Sequence, residues 1–227
     1  MRAFVILCSL LLAAAADGEP SDGKANEAEA TKVEATTPGV SKPLLAYVPP
    51  SSIGAPRDRT VGAATRSARF PGPTLYSLVP EHTGYTVSAQ PSLFWYLDTL
   101  PADETPVYFT LTNDQKIDPI AEIQLSKISE AGIQRVDLVE HGITLEQDTE
   151  YEWTIAVVID PEQRANDVVT AGWVMVVEEP AGLEPTAQSY AAHGLWYDAM
   201  ATAPDDFRAE LLREVGLEKI IDPPAPD

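Results

Sequence analysis

Apolar and polar residues alternate most regularly along residues 151–159. Every second position there carries a large apolar side chain, and polar residues such as Glu152 and Thr154 stand between them. This period of two predicts a β-strand with one buried face. An Asp160-Pro161 turn and a polar loop lead to a second apolar segment, VVTAGWVMVV, which we interpret as the next strand.

Related patterns precede the central strand in the segments TLYSLVP, YTVSAQP, SLFWYL, VYFTLTN, IAEIQLS and GIQRVDLV. Prolines and polar turns flank these segments rather than interrupt them, as hydrogen-bonded ladders require. About eight short strands separated by turn residues, with no helical period among them, predict an antiparallel sandwich or barrel.

Leu145 and Tyr151 frame the sequence LEQDTEY at the start of the central strand. This spacing resembles the tyrosine corner of immunoglobulin-like sandwiches, in which the tyrosine hydroxyl bonds to nearby loop backbone. An ordinary hairpin loop followed by an aromatic strand is the alternative. We expect an immunoglobulin-like antiparallel β-sandwich, with Leu145, Tyr151, Trp153, Gly172 and Trp173 as structural residues.

The period changes to that of a helix after Pro180. Apolar and small residues form a stripe at Ala187, Tyr190, Ala191, Gly194, Leu195 and Ala199. Thr186 is placed to cap this helix and Pro204 to end it. Gly194 within the stripe predicts close packing of helix on sheet. A second apolar face follows at Phe207, Leu211, Leu212 and Val215. We therefore expect a mainly β fold with two C-terminal α-helices packed against the sandwich.

The composition permits a sizeable core and excludes one class of partner. The chain has 227 residues, 44% of them hydrophobic, and its 35 acidic against 15 basic residues give a net charge of -20. Such a field repels nucleic acid, so we expect no nucleic-acid binding.

The N-terminal residues 1–16 have the pattern of a cleavable export signal. Arg2 precedes an apolar run, and Ala14 and Ala16 form a small-x-small cleavage site. The single cysteine, Cys8, lies in this run, so the mature chain has no disulfide. A lipoprotein cysteine is disfavoured because the bulky Leu7 precedes it. We expect a periplasmic or secreted bacterial protein with no membrane span.

The chain divides into six predicted parts. The signal peptide (1–16) is followed by a disordered Ala/Glu/Thr/Pro-rich linker (17–56) and an arginine-containing lead-in arm (57–73). The β-sandwich domain (74–179), the helical pair (180–221) and a tail (222–227) complete it. An apolar island at residues 44–48 is interpreted either as an added edge strand or as part of a tail. The arm is basic because it contains Arg57, Arg59, Arg66 and Arg69. We interpret it as a flexible solvated arm, with an anion-binding site as the alternative.

The segments SLVPEHTGYTVSAQPSLFWYL, LEQDTEYEWTIAVVIDPEQRANDVVTAGWV, SYAAHGLWYDAMATA and LLREVGL occur in this order. Together they resemble a family of exported bacterial proteins, frequent in cyanobacteria, known as domain of unknown function 928. The resemblance covers roughly residues 56–217. It implies export and a β-rich domain, and it implies no activity and no catalytic residue.

Candidate chemistry is sparse. The histidines, which show no metal-binding spacing, are His82, His141 and His193. The serines lack the glycine pattern of a nucleophile elbow. Oxygen ligands that could suit calcium occur at Asp160, Glu162, Asn166 and Asp167, but their spacing departs from an EF-hand and a solvated acidic loop explains them. We predict no catalytic residue, no metal and no cofactor.

The aromatic residues offer the remaining signal. Adjacent helix positions do not face one core, so we expect Trp196 or Tyr197 at the helix–sheet seam or in solvent. Exposed together with Trp95 and Tyr96 they would form a possible binding platform, whereas burial in the core or at the seam is the simpler interpretation. Our leading hypothesis is a non-enzymatic interaction or accessory module that binds an envelope protein. The alternatives are a module that binds a small ligand or carbohydrate, and a hydrolase with an unrecognised site.

Overall fold

The computed structural model describes residues 47–50, 61–63, 72–102 and 105–221, with the backbone alone for 61–63. The predicted signal peptide 1–16, the tail 222–227, most of the predicted linker and all four arginines of the arm lie outside these residues. The strands are β1 (Val61–Ala63), β2 (Thr74–Ser77), β3 (Gly84–Thr86), β4 (Ser92–Leu97), β5 (Val107–Thr112), β6 (Ala121–Gln124), β7 (Gly132–Asp137), β8 (Glu150–Val157) and β9 (Val168–Val176). The helices are α1 (Ala187–Ala192), α2 (Trp196–Thr202), α3 (Asp205–Glu214) and α4 (Glu218–Ile221). The fold is therefore mainly β, as predicted.

The strands form two sheets. One has four strands in the order β1-β2-β4-β7, and the other has five in the order β3-β9-β8-β5-β6. All pairings are antiparallel except that of β3 with β9, which is parallel. The chain passes from the first sheet to the second between β2 and β3, and β3 forms an edge of the second sheet.

The alternating residues of the two sheets build a shared core. Trp153 and Ile155 on β8 are fully buried, and Glu152 and Thr154 between them are half-buried. The four-stranded sheet contributes the buried side chains Leu75, Leu93, Trp95 and Leu97. The period of two thus places one face of each sheet inward, because successive strand residues point to opposite faces.

The loop before β8 is fixed by Tyr151. Its hydroxyl accepts a hydrogen bond from the backbone N–H of Glu146 at 3.0 Å, the contact that the LEQDTEY spacing predicts. Leu145 is buried beside it, and Asp148 adopts a positive φ of 56° at the tip of the turn. The phenol therefore satisfies a backbone donor close to the core, where an unpaired N–H is costly.

A hydrogen-bonded aromatic group joins α2 to the five-stranded sheet. The Tyr197 hydroxyl accepts from the Trp153 indole N–H and donates to the Trp173 carbonyl oxygen, both at 2.8 Å. Gly172 faces Trp153 across the ladder, and a Cβ there would lie 2.7 Å from the indole. Gly84 stands equally close to the Tyr197 ring. The two glycines make room for the two rings.

The predicted first helix is two helices. Thr186 caps α1 by accepting from the Ser189 N–H, as predicted, but the chain turns at Gly194, whose φ is 73°. Gly194 therefore lies in a turn and not within a helix. The expectation of two helices is corrected to four short ones among the described residues, because this turn divides the first and residues 215–217, with a φ of 74° at Gly216, separate α4 from α3.

The apolar island and the lead-in arm also differ from expectation. Tyr47 is buried, and the Val48 N–H donates to the Ala191 carbonyl oxygen, so residues 47–50 dock on the domain without joining a sheet. Within the arm, residues 61–63 form β1 against β2, so this part is not a solvated arm. Among the residues described, no helix combines the length and apolar character needed to cross a bilayer.

Tyr151→Phe is expected to destabilise the domain by about 1–3 kcal/mol, because it leaves the Glu146 N–H without its partner near the core. Urea unfolding followed by tryptophan fluorescence measures this change. Tyr96→Phe, which alters a partly exposed ring, is the matched control and should stay within about 0.5 kcal/mol of the natural chain. Equal effects of the two changes would contradict a special role for the Tyr151 hydroxyl.

Tyr197→Phe is expected to lower the free energy of unfolding by about 2–3 kcal/mol, because it orphans the buried Trp153 N–H and removes the donor to Trp173. Trp153→Phe in the same background tests the coupling. Because both changes break one hydrogen bond, the double variant should lose less than the sum of the two single losses. Strictly additive losses would show that the two groups act independently.

Candidate functional site

The predicted platform of four aromatic residues does not form. Trp95, Trp196 and Tyr197 are each no more than 1% exposed, and Tyr96 is half-buried. Trp196 and Tyr197 are adjacent in α2 and both are buried, and Tyr197 lies at the helix–sheet seam, one of the two positions expected. The reason is that α2 has neighbours on two sides: Tyr197 reaches the five-stranded sheet, and the Trp196 indole N–H donates to the Leu78 carbonyl oxygen.

A different aromatic surface lies on the outer face of the four-stranded sheet. Cross-strand register places Tyr76 beside Tyr96 and Tyr96 beside Ile133. The two rings have centroids 6.3 Å apart and are tilted by 56°, and Ile133 is 43% exposed. We call these three residues the tyrosine ladder. It combines two phenol hydroxyls with an exposed aliphatic group across three strands.

Charged groups border the ladder on one side. Arg135 follows Ile133 on the same face of β7, and its guanidinium forms an ion pair of 2.7 Å with Asp137. Phe94, opposite Arg135, is covered by Arg208 of α3, whose guanidinium carbon lies 5.9 Å from the ring centroid. The helices therefore cover the Phe94 end of this face, whereas Ile133 remains in solvent.

A small polar cleft lies between α2 and the β3–β4 connection. Its volume is about 190 Å³, and its lining includes Thr86, Ser88, Gln90, Ser92, Tyr190, Asp198 and Thr202. Asp198 accepts hydrogen bonds from the Thr86 hydroxyl at 3.1 Å and from the Val87 N–H at 3.0 Å. Burial raises the pKa of the Asp198 carboxyl above its ordinary value near 3.8, and these two hydrogen bonds oppose the rise. The carboxyl thus connects α2 to the loop that follows β3.

The histidines and the acidic loop form no common site. His82 is buried against Tyr47, whereas His141 and His193 are exposed, and the His193 Nδ1 lies 2.8 Å from the Ser189 carbonyl oxygen. In the acidic loop, Asp167 pairs with Arg164 at 2.6 Å, and the Asp160 carboxylate accepts from the Glu162 N–H. Within the described part of the chain, no group of three or more potential ligand residues could hold a metal ion.

The second cavity has a volume of about 400 Å³ and lies between the β4–β5 and β6–β7 connections. Its described lining is mostly aliphatic or small, including Pro106, Val107, Leu125 and Ile128. Lys127 is the charged side chain among these lining residues, so the described walls bring no pair of titratable groups together.

Two residues of the tyrosine ladder and the cleft carboxylate escaped the sequence analysis. Tyr76 and Ile133 occupy outward positions of alternating segments, but their proximity depends on the register of three strands. Asp198 follows Trp196-Tyr197 in the helix, and its burial depends on a contact with Thr86, 112 positions earlier. Thr86 and Val87 lie in the predicted strand YTVSAQP, and Asp198 lies in the predicted helix. Neither pattern shows that the two segments meet.

Comparisons with known proteins place the chain in a family. The family described as Domain of Unknown Function (DUF928) matches residues 61–224, so the chain belongs to it, and the resemblance seen in the sequence is confirmed. No curated protein and no solved structure matched the chain.

Asp198→Asn is expected to change how stability depends on pH. Since the folded-state pKa of Asp198 is raised, the folded chain binds more protons than the unfolded chain between the ordinary and the raised pKa. The natural chain should therefore lose stability relative to Asp198→Asn as pH rises from about 3.5 to 7, the range that begins near the ordinary carboxyl pKa. Urea unfolding across this range measures the difference.

Asp118→Asn, at an exposed acid of the β5–β6 hairpin, controls for the loss of one negative charge. If the stability of the natural chain minus that of Asp198→Asn stays constant or rises with pH, the result contradicts the effect of burial on this carboxyl.

Proposed function

We propose that this member of the DUF928 family is an exported, non-enzymatic interaction module that binds a partner protein through the tyrosine ladder. The observation that carries the proposal is the row of Tyr76, Tyr96 and Ile133 across three strands on a face where Ile133 remains 43% exposed. Export to the periplasm or the exterior is supported by the apolar run and the small-residue cleavage site in residues 1–16.

The chemistry of the ladder favours a protein partner. Tyrosine and arginine are enriched in protein interfaces, where a ring supplies buried area and a hydroxyl supplies a directed hydrogen bond. Arg135 and Asp137 provide the polar rim beside the ladder. The net charge of -20 disfavours nucleic acid and makes an acidic partner unfavourable, so we expect a neutral or basic protein surface.

The proposal that the protein is not an enzyme rests on the structural contacts of the side chains whose pKa is shifted by burial. Burial raises the pKa of the Tyr47, Tyr197 and Asp198 side chains, and each of these groups contacts a different part of the fold. Tyr197 and Asp198 hold α2 to the sheets, and Tyr47 holds residues 47–50 to the domain. Their environments thus support structural roles.

We further infer that the two sheets form an immunoglobulin-like sandwich. Three features support this: the passage of the chain from one sheet to the other between β2 and β3, the parallel pairing of β3 with β9, and the hydroxyl of Tyr151 bonded to the preceding loop. In such a domain the ladder would lie on a sheet face, a surface that single-domain binding modules offer to their partners.

A carbohydrate-binding module is the second candidate, and the partly exposed Tyr96 beside Tyr76 favours it. The tilt of 56° between the rings means that they form no continuous flat platform, so a sugar ring would stack on one tyrosine at a time. This candidate predicts a ligand-dependent rise in melting temperature with oligosaccharides from the envelope, because a ligand stabilises the state that it binds.

Replacing Tyr96 by a photo-crosslinking phenylalanine derivative in the organism's own cells tests the leading proposal. One protein adduct is expected on irradiation, since a partner would cover this ring. The same derivative at Val169, an exposed position on β9, is the matched control and should not give that adduct. Introducing Ile133→Asp into the Tyr96-labelled chain should reduce the adduct by at least about tenfold, because it buries a charge in the contact.

Identical adducts at Tyr96 and Val169, or an adduct that Ile133→Asp leaves unchanged, would contradict binding through the ladder. Absence of any protein adduct, together with an oligosaccharide-dependent rise in melting temperature that Tyr96→Ala abolishes, would instead favour the carbohydrate module.

A further inference from the structure

Residues 47–50, which we call the strap, lie in a groove of the domain in the manner of a bound peptide. The groove, here named the strap groove, is built from parts of the chain that are distant in sequence. Its walls are His82 in the β2–β3 connection, Gly194 in the α1–α2 turn and Glu214 at the end of α3, and its floor is Trp196. This surface is separate from the tyrosine ladder.

An aromatic side chain anchors the strap. The Tyr47 ring meets Trp196 edge to face, with centroids 5.1 Å apart, and lies parallel to the His82 ring at 6.0 Å. The Tyr47 hydroxyl lies 3.4 Å from the His82 Nε2. Only 8% of Tyr47 remains exposed, whereas Val48 beside it is 49% exposed. The groove therefore favours an aromatic side chain at the position of Tyr47 and tolerates different side chains at the position of Val48.

Backbone contacts fix the direction of the strap. The Tyr47 N–H donates to the Glu214 carboxylate at 2.6 Å, and the Val48 N–H donates to the Ala191 carbonyl oxygen at 3.1 Å. These groups recognise main chain and not a particular side chain. A peptide that enters in the same direction would make the same two hydrogen bonds whatever residue follows its aromatic anchor.

Gly194 allows the strap to approach the domain closely. A Cβ at this position would lie 2.8 Å from the Val48 carbonyl oxygen and 3.3 Å from the Pro50 ring. Its φ of 73° also suits glycine better than other residues. The glycine at this turn therefore leaves the space that residues 48–50 occupy.

The composition of the strap suits a recognition segment. Pro49 and Pro50 fix their own φ angles, and each proline restricts the preceding residue to extended conformations. Such a segment is largely preorganised, so it loses little conformational entropy when it docks in an aromatic groove. Proline-containing segments bound to aromatic grooves are a recurring mode of peptide recognition.

We propose that the strap groove is a peptide-binding site for extended segments of the form Tyr-x-Pro-Pro, and that the chain's own strap occupies it. When the strap dissociates, the groove binds a segment of the same form from another polypeptide. In the intact chain the tethered strap acts at an effective concentration on the order of millimolar, so it excludes a free peptide of equal intrinsic affinity.

Tyr47→Ala in the full chain opens the site to a labelled synthetic peptide with the sequence of residues 44–52. The measurement is fluorescence anisotropy. The variant should bind the peptide at least about tenfold more tightly than the natural chain does, because its strap has lost the anchor. A peptide in which alanine replaces the tyrosine should bind neither protein. Gly194→Ala added to Tyr47→Ala should abolish binding, since the methyl group would occupy the position of the peptide carbonyl oxygen.

A second experiment leaves every strap contact intact. A protease site inserted within residues 51–60 of the otherwise natural chain cuts the tether without altering residues 47–50. After cleavage, the N-terminal piece should dissociate on dilution, and the labelled peptide should replace it. Near-ultraviolet circular dichroism reports whether the domain remains folded.

The proposal is overturned if the folded Tyr47→Ala chain fails to bind the peptide, or if it binds the natural and alanine-substituted peptides equally. It is also overturned if the labelled peptide never exchanges with the cleaved piece while the domain stays folded. In that case the strap is a permanent part of the core and not an occupant of a binding site.

Discussion

The Tyr197 hydroxyl carries the contact on which the rest of the described structure depends. It accepts from the Trp153 indole and donates to the Trp173 carbonyl oxygen, so one side chain of a helix joins two strands of the five-stranded sheet. The contact is possible only because Gly84 and Gly172 leave space for the two rings. A buried indole N–H needs a partner, and here that partner comes from outside the sheets. The helices are therefore part of the domain's core and not an addition to it.

The position of α2 determines which surfaces remain available. Tyr197 faces the five-stranded sheet, Trp196 bonds to the Leu78 carbonyl oxygen, and Asp198 bonds to the loop after β3. Three successive side chains thus connect the helix to three places. The helices leave Ile133 on the four-stranded sheet in solvent, and the turn before α2 forms one wall of the groove that holds Tyr47. The position of α2 thus shapes the groove that holds Tyr47, whereas α3 covers the Phe94 end of the ladder face.

The sequence predicted the strands and helices that depend on residues close together in the chain. Alternation in β8 reflects burial of one strand face, so Trp153 and Ile155 were expected inside and lie there. The division of the first helix was missed because it results from a turn at Gly194, against which a segment some 145 positions earlier packs. The platform prediction was wrong for Trp196 because helical spacing says which residues share a face but not how many faces of a helix are covered. The ladder of Tyr76, Tyr96 and Ile133 required strand register, which no local pattern supplies.

The distance along the chain between the contacts of α2 has a consequence for the timing of folding. Trp196 bonds to a residue 118 positions earlier, and Asp198 to one 112 positions earlier. Contacts of such separation close large loops and form late. A nascent polypeptide cannot make these contacts until α2 has been synthesised, although the strands that α2 joins come earlier in the chain. If the chain is exported, as we propose, this delay favours its crossing the membrane unfolded and folding on the far side.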